Sequence, residues 1–175
     1  GWNGDYFSFD DKVWKDYAAQ LIPRAVGYSS ALLNYFFRGR IHVLKPVVTR
    51  GSDSSITGLN FSIKNGTLPL SDLQTVEPFE SGVIEMVYSY AIPDENNPGQ
   101  MINLFQTLAQ PVYTVNDAND SINSDYVSLS VSLPVAVPAD AVDFSFTLVF
   151  KGKLGGEEGA VAAKGYNFNN SRIAC

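Results

Sequence analysis

The stretch Val127-Ser128-Leu129-Ser130-Val131-Ser132-Leu133 alternates apolar side chains with serines at every position. Successive side chains of a β-strand point to opposite faces, so this alternation predicts a strand with one buried face and one hydrated face. The stretch Phe144–Phe150 repeats the pattern with phenylalanine and leucine on the apolar side. Because antiparallel sheets commonly have one face in the core and one in water, both stretches predict antiparallel β-structure.

Further stretches with strand-like patterns lie on either side of these two. They are Ile41–Val43, Leu59–Ile63, Ile84–Ile92, Met101–Thr114 and Ala160–Tyr166. Turn residues such as Asn65-Gly66 separate them, Pro46 predicts that the first strand is an edge strand, and Pro111 marks a break. No helical pattern separates the strands, which disfavours a parallel α/β fold. The predicted fold is an immunoglobulin-like antiparallel β-sandwich of about seven strands over residues 40–175.

The N-terminal part of the chain has a helical period instead. Its apolar stripe consists of Val13, Trp14, Tyr17, Ala18 and Leu21. Pro23 breaks or restarts the helix, a second helix is expected from about Arg24 to Phe37, and Gly39 is a plausible end signal. Residues 1–39 are therefore predicted to be a helical lead-in of two short α-helices. The apolar surface of such a helix must pack against another structure, which is either the β-sandwich or a neighbouring domain.

Composition restricts the class of protein. The 175 residues are 45% hydrophobic and 17% charged, which is typical of a globular chain. The formal net charge of −6 disfavours a nucleic-acid partner, because phosphate binding needs a basic surface. No apolar run reaches the roughly 18 residues of a membrane span. A start without Met predicts a processed chain or a piece of a longer protein.

The inventory of reactive side chains argues against an enzyme. His42 is the sole histidine and Cys175, the last residue, is the sole cysteine. A disulfide framework and a cysteine-rich zinc site are excluded, and any serine or cysteine nucleophile would have to use His42. The glycines of residues 152–156 lack the spacing of a phosphate-binding loop and predict a hairpin turn. We therefore expect no catalytic residues and a structural or surface role for His42.

Two adjacent carboxylate pairs are the only acid/base candidates that the pattern suggests. Asp94 with Glu95 and Glu157 with Glu158 both fall in predicted loops. Glycoside hydrolysis uses two carboxyl groups, so a carboxylate-based hydrolase is one hypothesis. The alternative is that these side chains keep their loops hydrated, with Glu157 and Glu158 in solvent at the hairpin tip.

Oxygen-bearing side chains crowd between two predicted strands. The candidate calcium ligands there are Asp117, Asn119, Asp120, Asn123 and Asp125. Calcium takes six to eight oxygen ligands, which such a loop can supply. The spacing is not that of an EF-hand, because Ile122 occupies the glycine position. The alternative is an ordinary turn, since Asn and Asp favour turn conformations.

Two features relate to carbohydrate. Aromatic side chains cluster at the N-terminus and near strand ends, where they either stack on a sugar ring or fill the interface between helix and β-sandwich. They are Trp2, Tyr6, Phe7, Phe9, Trp14, Tyr113, Tyr126 and Tyr166. Glycosylation sequons predict surface glycans in a eukaryotic secretory setting. They start at Asn60, Asn65, Asn119 and Asn169.

Two segments carry a resemblance to known proteins. The residues from Leu21 to Gly39, LIPRAVGYSSALLNYFFRG, resemble a segment of large secreted or envelope proteins of bacteria. The residues from Phe144 to Ala163, with FKGKLG and EEGAV, resemble the last hairpin of the β-rich C-terminal region of those proteins. Some of their upstream helical domains resemble phospholipase C-type zinc hydrolases. The resemblance implies a bacterial, exported, accessory domain whose metal ligands would lie outside this chain.

These observations predict a non-catalytic exported module that acts in binding or domain spacing, in the extracellular space or cell envelope. Its expected partners are an upstream domain, copies of itself, or a surface polysaccharide or protein. One alternative is a self-assembling structural subunit that exchanges a strand or its N-terminal segment with a neighbour. The carboxylate-based hydrolase is the other.

Overall fold

The computed structural model describes residues 19, 21–24, 26–27, 29, 37–69 and 75–168 of the chain. The chain divides into two compact units, residues 1–36 and 37–175. The described residues of the first unit are helical, and Pro23 is among them. Leu21, Ile22 and Val26 in this unit are each about 60% exposed.

The described residues of the second unit form eight antiparallel strands. They are β1 (Ile41–Arg50), β2 (Ile56–Asn65), β3 (Phe79–Pro93), β4 (Met101–Thr107), β5 (Tyr113–Val115), β6 (Val127–Val137), β7 (Val142–Leu154) and β8 (Glu157–Asn167). The prediction of a mainly antiparallel β fold is confirmed. About seven strands were predicted and eight are described, because the stretch from Met101 to Thr114 contains β4 and most of β5.

The break between β4 and β5 has a backbone cause. The N–H of Leu108 bonds to the carbonyl of Met86 at 3.3 Å, and the N–H of Val112 bonds to that of Ile84 at 2.8 Å. Between these two bonds the residues 109–111 leave the ladder, and Pro111 has no N–H to donate. Pro111 is the predicted break, but the sequence pattern does not show that the region from Met101 to Thr114 is two separate strands.

The strands form two sheets. The first sheet has the order β1-β2-β6, and the second has the order β4-β3-β7-β8, with β5 also paired to β3. Every recorded pairing is antiparallel. Pro46 lies in β1, which is an edge strand as predicted.

One core lies between the two sheets. Phe61 of β2 stacks on Phe146 of β7 with ring centroids 5.3 Å apart, which joins the sheets across the core. The inward side chains of both sheets belong to one buried cluster. Its fully buried members include Leu59, Ile63, Phe79, Ile84, Leu148 and Phe150. The apolar positions of each alternating stretch thus face this core, as their period predicts.

A tyrosine fixes the end of β6 to the opposite sheet. The hydroxyl of Tyr88 on β3 donates to the carbonyl of Val135 at 2.7 Å and accepts from the Val135 N–H at 3.2 Å. The β2–β6 register shifts between Gly58 and Ile56, so this part of β6 needs partners beyond its neighbouring strand. Burial raises the pKa of Tyr88, which keeps the hydroxyl protonated and able to donate.

Two glycines allow β3 and β7 to approach closely. Gly82 and Gly152 lie opposite each other in the ladder. A Cβ atom on Gly152 would lie 2.0 Å from the carbonyl oxygen of Ser81 and 2.7 Å from Cα of Gly82. Gly82 has a φ of +144°, which other residues rarely adopt. The central pair of the larger sheet therefore requires glycine at this crossing.

Candidate functional site

The predicted calcium loop is a compact turn whose acidic side chains bond mainly to the loop itself. Asp120 accepts hydrogen bonds from the Tyr113 hydroxyl at 2.5 Å and from the backbone N–H groups of Asn116 and Ile122. It thereby caps the short 3-10 helix Ser121–Asn123. Partial burial opposes ionisation of Asp120, but these hydrogen bonds outweigh it and lower the pKa of the carboxyl.

Asn123 joins this loop to the rest of the fold. Its Oδ1 accepts from Asn65 Nδ2 at 3.0 Å and from the Phe79 N–H at 2.8 Å. Its Nδ2 donates to the carbonyls of Phe79 at 2.9 Å and Ala118 at 3.2 Å. Asn123 thus bonds to the end of β2, to the start of β3 and to its own loop, which is a structural role.

The remaining predicted ligands lie at the surface of the loop. Asp117 accepts from the N–H of Asn119 at 2.7 Å, and Asp125 accepts from the hydroxyl of Ser124 at 3.2 Å. Asp117, Asn119 and Asp125 are exposed. Among the residues that the structure describes, no three acidic, histidine or cysteine side chains gather as a metal-binding group. Calcium binding by this loop stays a prediction.

Replacing Asn123 by Ala is expected to lower the free energy of unfolding by about 2 kcal/mol, because it removes the acceptor of the Phe79 N–H and one of the two acceptors of the buried Asn65 amide, which still donates to the Glu77 carbonyl. Urea unfolding followed by circular dichroism measures the change. Asn119→Ala is the matched control: Asn119 is exposed in the same loop and should change stability by less than about 0.5 kcal/mol. Equal losses in the two variants would contradict the structural role of Asn123.

His42 lies at the exposed outer face of β1, opposite Lys64 of β2. Its Nδ1 is 3.5 Å from the hydroxyl of Tyr126, whose ring lies 5.9 Å from the Lys64 ammonium group. The His42 ring thus contacts the Tyr126 hydroxyl, and Lys64 contacts the ring of the same tyrosine. The arrangement resembles a polar surface cluster rather than a nucleophile with its base.

The two carboxylate pairs lie in different environments. Asp94 accepts from Asn97 Nδ2 at 2.7 Å and from the Asn96 N–H at 2.9 Å, and these bonds lower its pKa. It organises the turn between β3 and β4, and Glu95 is exposed beside it. The prediction that Glu157 lies in solvent at the hairpin tip was wrong. Gly155 and Gly156 form the turn, and Glu157 begins β8 with its side chain 29% exposed.

Glu157 belongs to a largely buried ion triad. Arg38 Nε is 2.6 Å from one carboxylate oxygen of Glu77, and Nη2 is 3.2 Å from the other. Arg38 Nη1 is 2.8 Å from Glu157 Oε2. The side chains of Arg38 and Glu77 are only 10% and 15% exposed. The hydrogen bond to Glu77 raises the pKa of Arg38 further above its ordinary value, so the triad carries one fixed positive charge between two carboxylates.

A groove of about 350 Å³ lies on the outer face of the first sheet. A β-bulge in β1 borders it, where Lys45 has a φ of +45° and the register shifts between Leu44 and Val47. Its lining contains hydroxyl and amide side chains of β2 and β6 and apolar residues of all three strands. The polar ones are Asn60, Ser62, Ser128 and Ser130, and the apolar ones are Leu44, Val47, Phe61 and Leu129. The hydroxyls of Ser62 and Ser128 are 3.1 Å apart. Lys45 is the one ionisable residue of this lining.

The sequence pattern does not indicate this groove. The serines of β6 predict only the hydrated side of a strand, and Pro46 predicts only an edge strand. The bulge arises at Lys45 and Pro46, and a proline within a strand pattern was the signal available for it. Which strands lie beside the bulge depends on pairings distant in sequence, which no local pattern gives.

A second groove of about 410 Å³ lies beside β6. Residues 108–112 of the second sheet line one side, and residues 130–134 of β6 line the other. Its lining is apolar or uncharged throughout. Both grooves offer hydrogen-bonding groups and apolar surface, with which a partner can be bound.

Several sequence-based candidates lie outside the described residues. They are Trp2, Tyr6, Phe7, Phe9, Trp14, Asn169 and Cys175. In the part of the chain that the structure does describe, no helix is long and apolar enough to cross a membrane.

A scan against protein-family models and a search of curated proteins found no match to this chain.

Proposed function

We propose that this chain is a non-catalytic, exported β-sandwich module of immunoglobulin-like type that binds a neutral surface polysaccharide and acts beside an upstream domain. The observation that carries the proposal is the groove on the outer face of the first sheet. Its hydroxyl and amide side chains match the hydrogen-bonding groups of sugars, and the exposed Leu44 and Val47 offer apolar contact to a sugar ring.

The charge of the groove also favours a neutral ligand. Lys45 is its one ionisable side chain, in a chain whose net charge is −6. An anionic polymer would meet that overall negative charge, whereas a neutral polymer would not. The left-handed conformation of Lys45 is a locally strained backbone, a feature that is common at binding sites.

The helical residues support attachment to an upstream domain. Leu21, Ile22 and Val26 are each about 60% exposed, although they are large apolar side chains on helical backbone. Contiguous exposed apolar side chains are typical of protein interaction sites. Two short docking helices before the β-sandwich, in a protein of the extracellular space or cell envelope, are the arrangement that we propose.

Affinity gel electrophoresis of the full chain tests the binding role. We expect retardation in gels that contain a soluble neutral polysaccharide, with dextran, xylan and galactomannan as the probes. Ser62→Trp fills the groove from the central strand of the first sheet and should abolish the retardation. A tryptophan on the outward side of a strand is compatible with β-structure, so the fold should persist.

Ser89→Trp is the matched control for this experiment. Ser89 and Ser145 form the same kind of pair on central strands of the second sheet, with hydroxyls 2.9 Å apart. This variant should bind as the unchanged chain does. Retardation that survives Ser62→Trp, or none with any of the three polysaccharides, would overturn the proposed role of the groove.

A further inference from the structure

The outer edge of β6 is open to another strand. Among the residues that the structure describes, the order β1-β2-β6 leaves one side of β6 without a neighbouring strand in its sheet. The ladder to β2 runs without a register shift from Val127 to Ser132. An edge strand presents unpaired backbone N–H and C=O groups, which pair readily with a strand of another chain.

The other sheet edges carry features that discourage such pairing, whereas the proline of β6, Pro134, lies after the stretch Val127–Leu133. β1 has a bulge with Lys45 and Pro46, and β8 has Lys164 with charged residues at its start. The edge formed by β4 and β5 is interrupted at residues 109–111. Residues 127–133 of β6 contain no charge, no proline and no glycine. This stretch of the β6 edge therefore lacks the charges, prolines and bulges by which proteins protect edge strands.

We propose that two copies of this chain associate by antiparallel pairing of their β6 edges about a twofold axis at Ser130. The sequence of β6 is complementary to itself in this register. Ser128 lies opposite Ser132 of the second copy, and Leu129 lies opposite Val131. Serine therefore meets serine on the outer face and apolar meets apolar on the inner face, so that both faces of the sheet continue across the pair.

Existing strand pairs show that such serine pairs are favourable in this fold. Ser62 and Ser128 face each other on β2 and β6 with hydroxyls 3.1 Å apart. Ser89 and Ser145 do the same on β3 and β7 at 2.9 Å. Pairing of Ser128 with Ser132 of a second copy would repeat this contact at the new strand junction.

Charge and the neighbouring groove favour a second copy as the occupant. Two chains of net charge −6 repel each other, but residues 126–139 carry no charge and give a neutral contact zone. The uncharged groove between β6 and residues 108–112 lies along the same edge. Pairing would cover the partly exposed apolar residues of its lining, which include Leu108, Ala109 and Val112.

Sedimentation velocity of the full chain over micromolar to millimolar concentration tests the pairing. We expect the mass to rise from 19.1 kDa to that of a dimer and no further. Ser130→Asp and Ser130→Lys each place two like charges opposite each other at the axis, and each should weaken dimerisation by about tenfold or more. An equimolar mixture of the two variants should restore the dimer, because Asp then faces Lys.

Ser52→Asp is the control, since Ser52 is exposed in the turn between β1 and β2 and should dimerise like the unchanged chain. Circular dichroism confirms that the variants are folded. A monomer at every concentration, a mass that grows beyond a dimer, unimpaired dimerisation of Ser130→Asp, or a mixture no better than its components would each overturn the proposal. The readout is mass, so the result does not depend on the polysaccharide experiment.

Discussion

Gly152→Ala is expected to lower the free energy of unfolding by about 4 kcal/mol or more and to leave little folded protein at 37 °C. The new Cβ would lie 2.0 Å from the Ser81 carbonyl oxygen and 2.8 Å from the ring of Phe150. The carbonyl belongs to the backbone of β3, so no side-chain rotation relieves the overlap. The strands would have to separate in the central pair of the larger sheet.

Urea unfolding monitored by circular dichroism measures the loss, and Gly165→Ala provides the comparison. A Cβ on Gly165 would meet its nearest atom, Thr147 Oγ1, at 3.6 Å, which is an ordinary contact. This substitution should leave stability within about 1 kcal/mol of the unchanged chain, since alanine also restricts the unfolded state. If both variants unfold at the same urea concentration, the close crossing of β3 and β7 is not a constraint on the fold.

The positions of the strands follow from local pattern, but their neighbours do not. The alternation from Val127 to Leu133 predicts which side chains of β6 are buried, because the period of two is a property of one strand. That β6 pairs with β2, some 70 positions earlier in the chain, depends on how the whole core closes. The same holds for the crossing at Gly82 and Gly152. Each glycine is required there because the opposite strand lies so close, and the sequence alone does not show that the two are paired.

The candidate sites show the same division. The loop around Asp120 and Asn123 could be predicted from its composition, since Asn and Asp favour turns. That Asn123 bonds to the distant residues Asn65 and Phe79 could not, because those contacts are set by the fold. The groove beside Lys45 likewise requires a bulge and two neighbouring strands, of which only the proline was visible in the sequence.

Glu157 shows why charge in a loop is a weak guide to exposure. In the sequence it lies beside Glu158 after two glycines, a context that predicts hydration. In the structure its carboxylate lies 2.8 Å from Arg38, which precedes β1, and Glu77, which precedes β3, completes the triad. Three segments distant in sequence thus meet at one charge cluster. The arginine before the first strand gave no signal of this role.

Arg38→Met is expected to lower the free energy of unfolding by about 3 kcal/mol, because it leaves Glu77 and Glu157 facing each other without their cation. Methionine keeps most of the length of the side chain and removes the charge. The side chains are 10–29% exposed, so water relieves part of the penalty and the effect should fall at the low end for buried pairs. Thermal and urea unfolding measure the change.

The triple variant Arg38→Met, Glu77→Gln, Glu157→Gln separates the loss of a favourable contact from the penalty of uncompensated carboxylates. Removing all three charges should recover most of the stability lost in the single variant, since neutral amides can share hydrogen bonds where two carboxylates repel. If the triple variant is less stable than Arg38→Met, the triad contributes through direct attraction and its desolvation cost is small. If the single variant is as stable as the unchanged chain, the triad is instead a surface ion pair, and the segments before β1 and β3 are joined by packing and backbone hydrogen bonds alone.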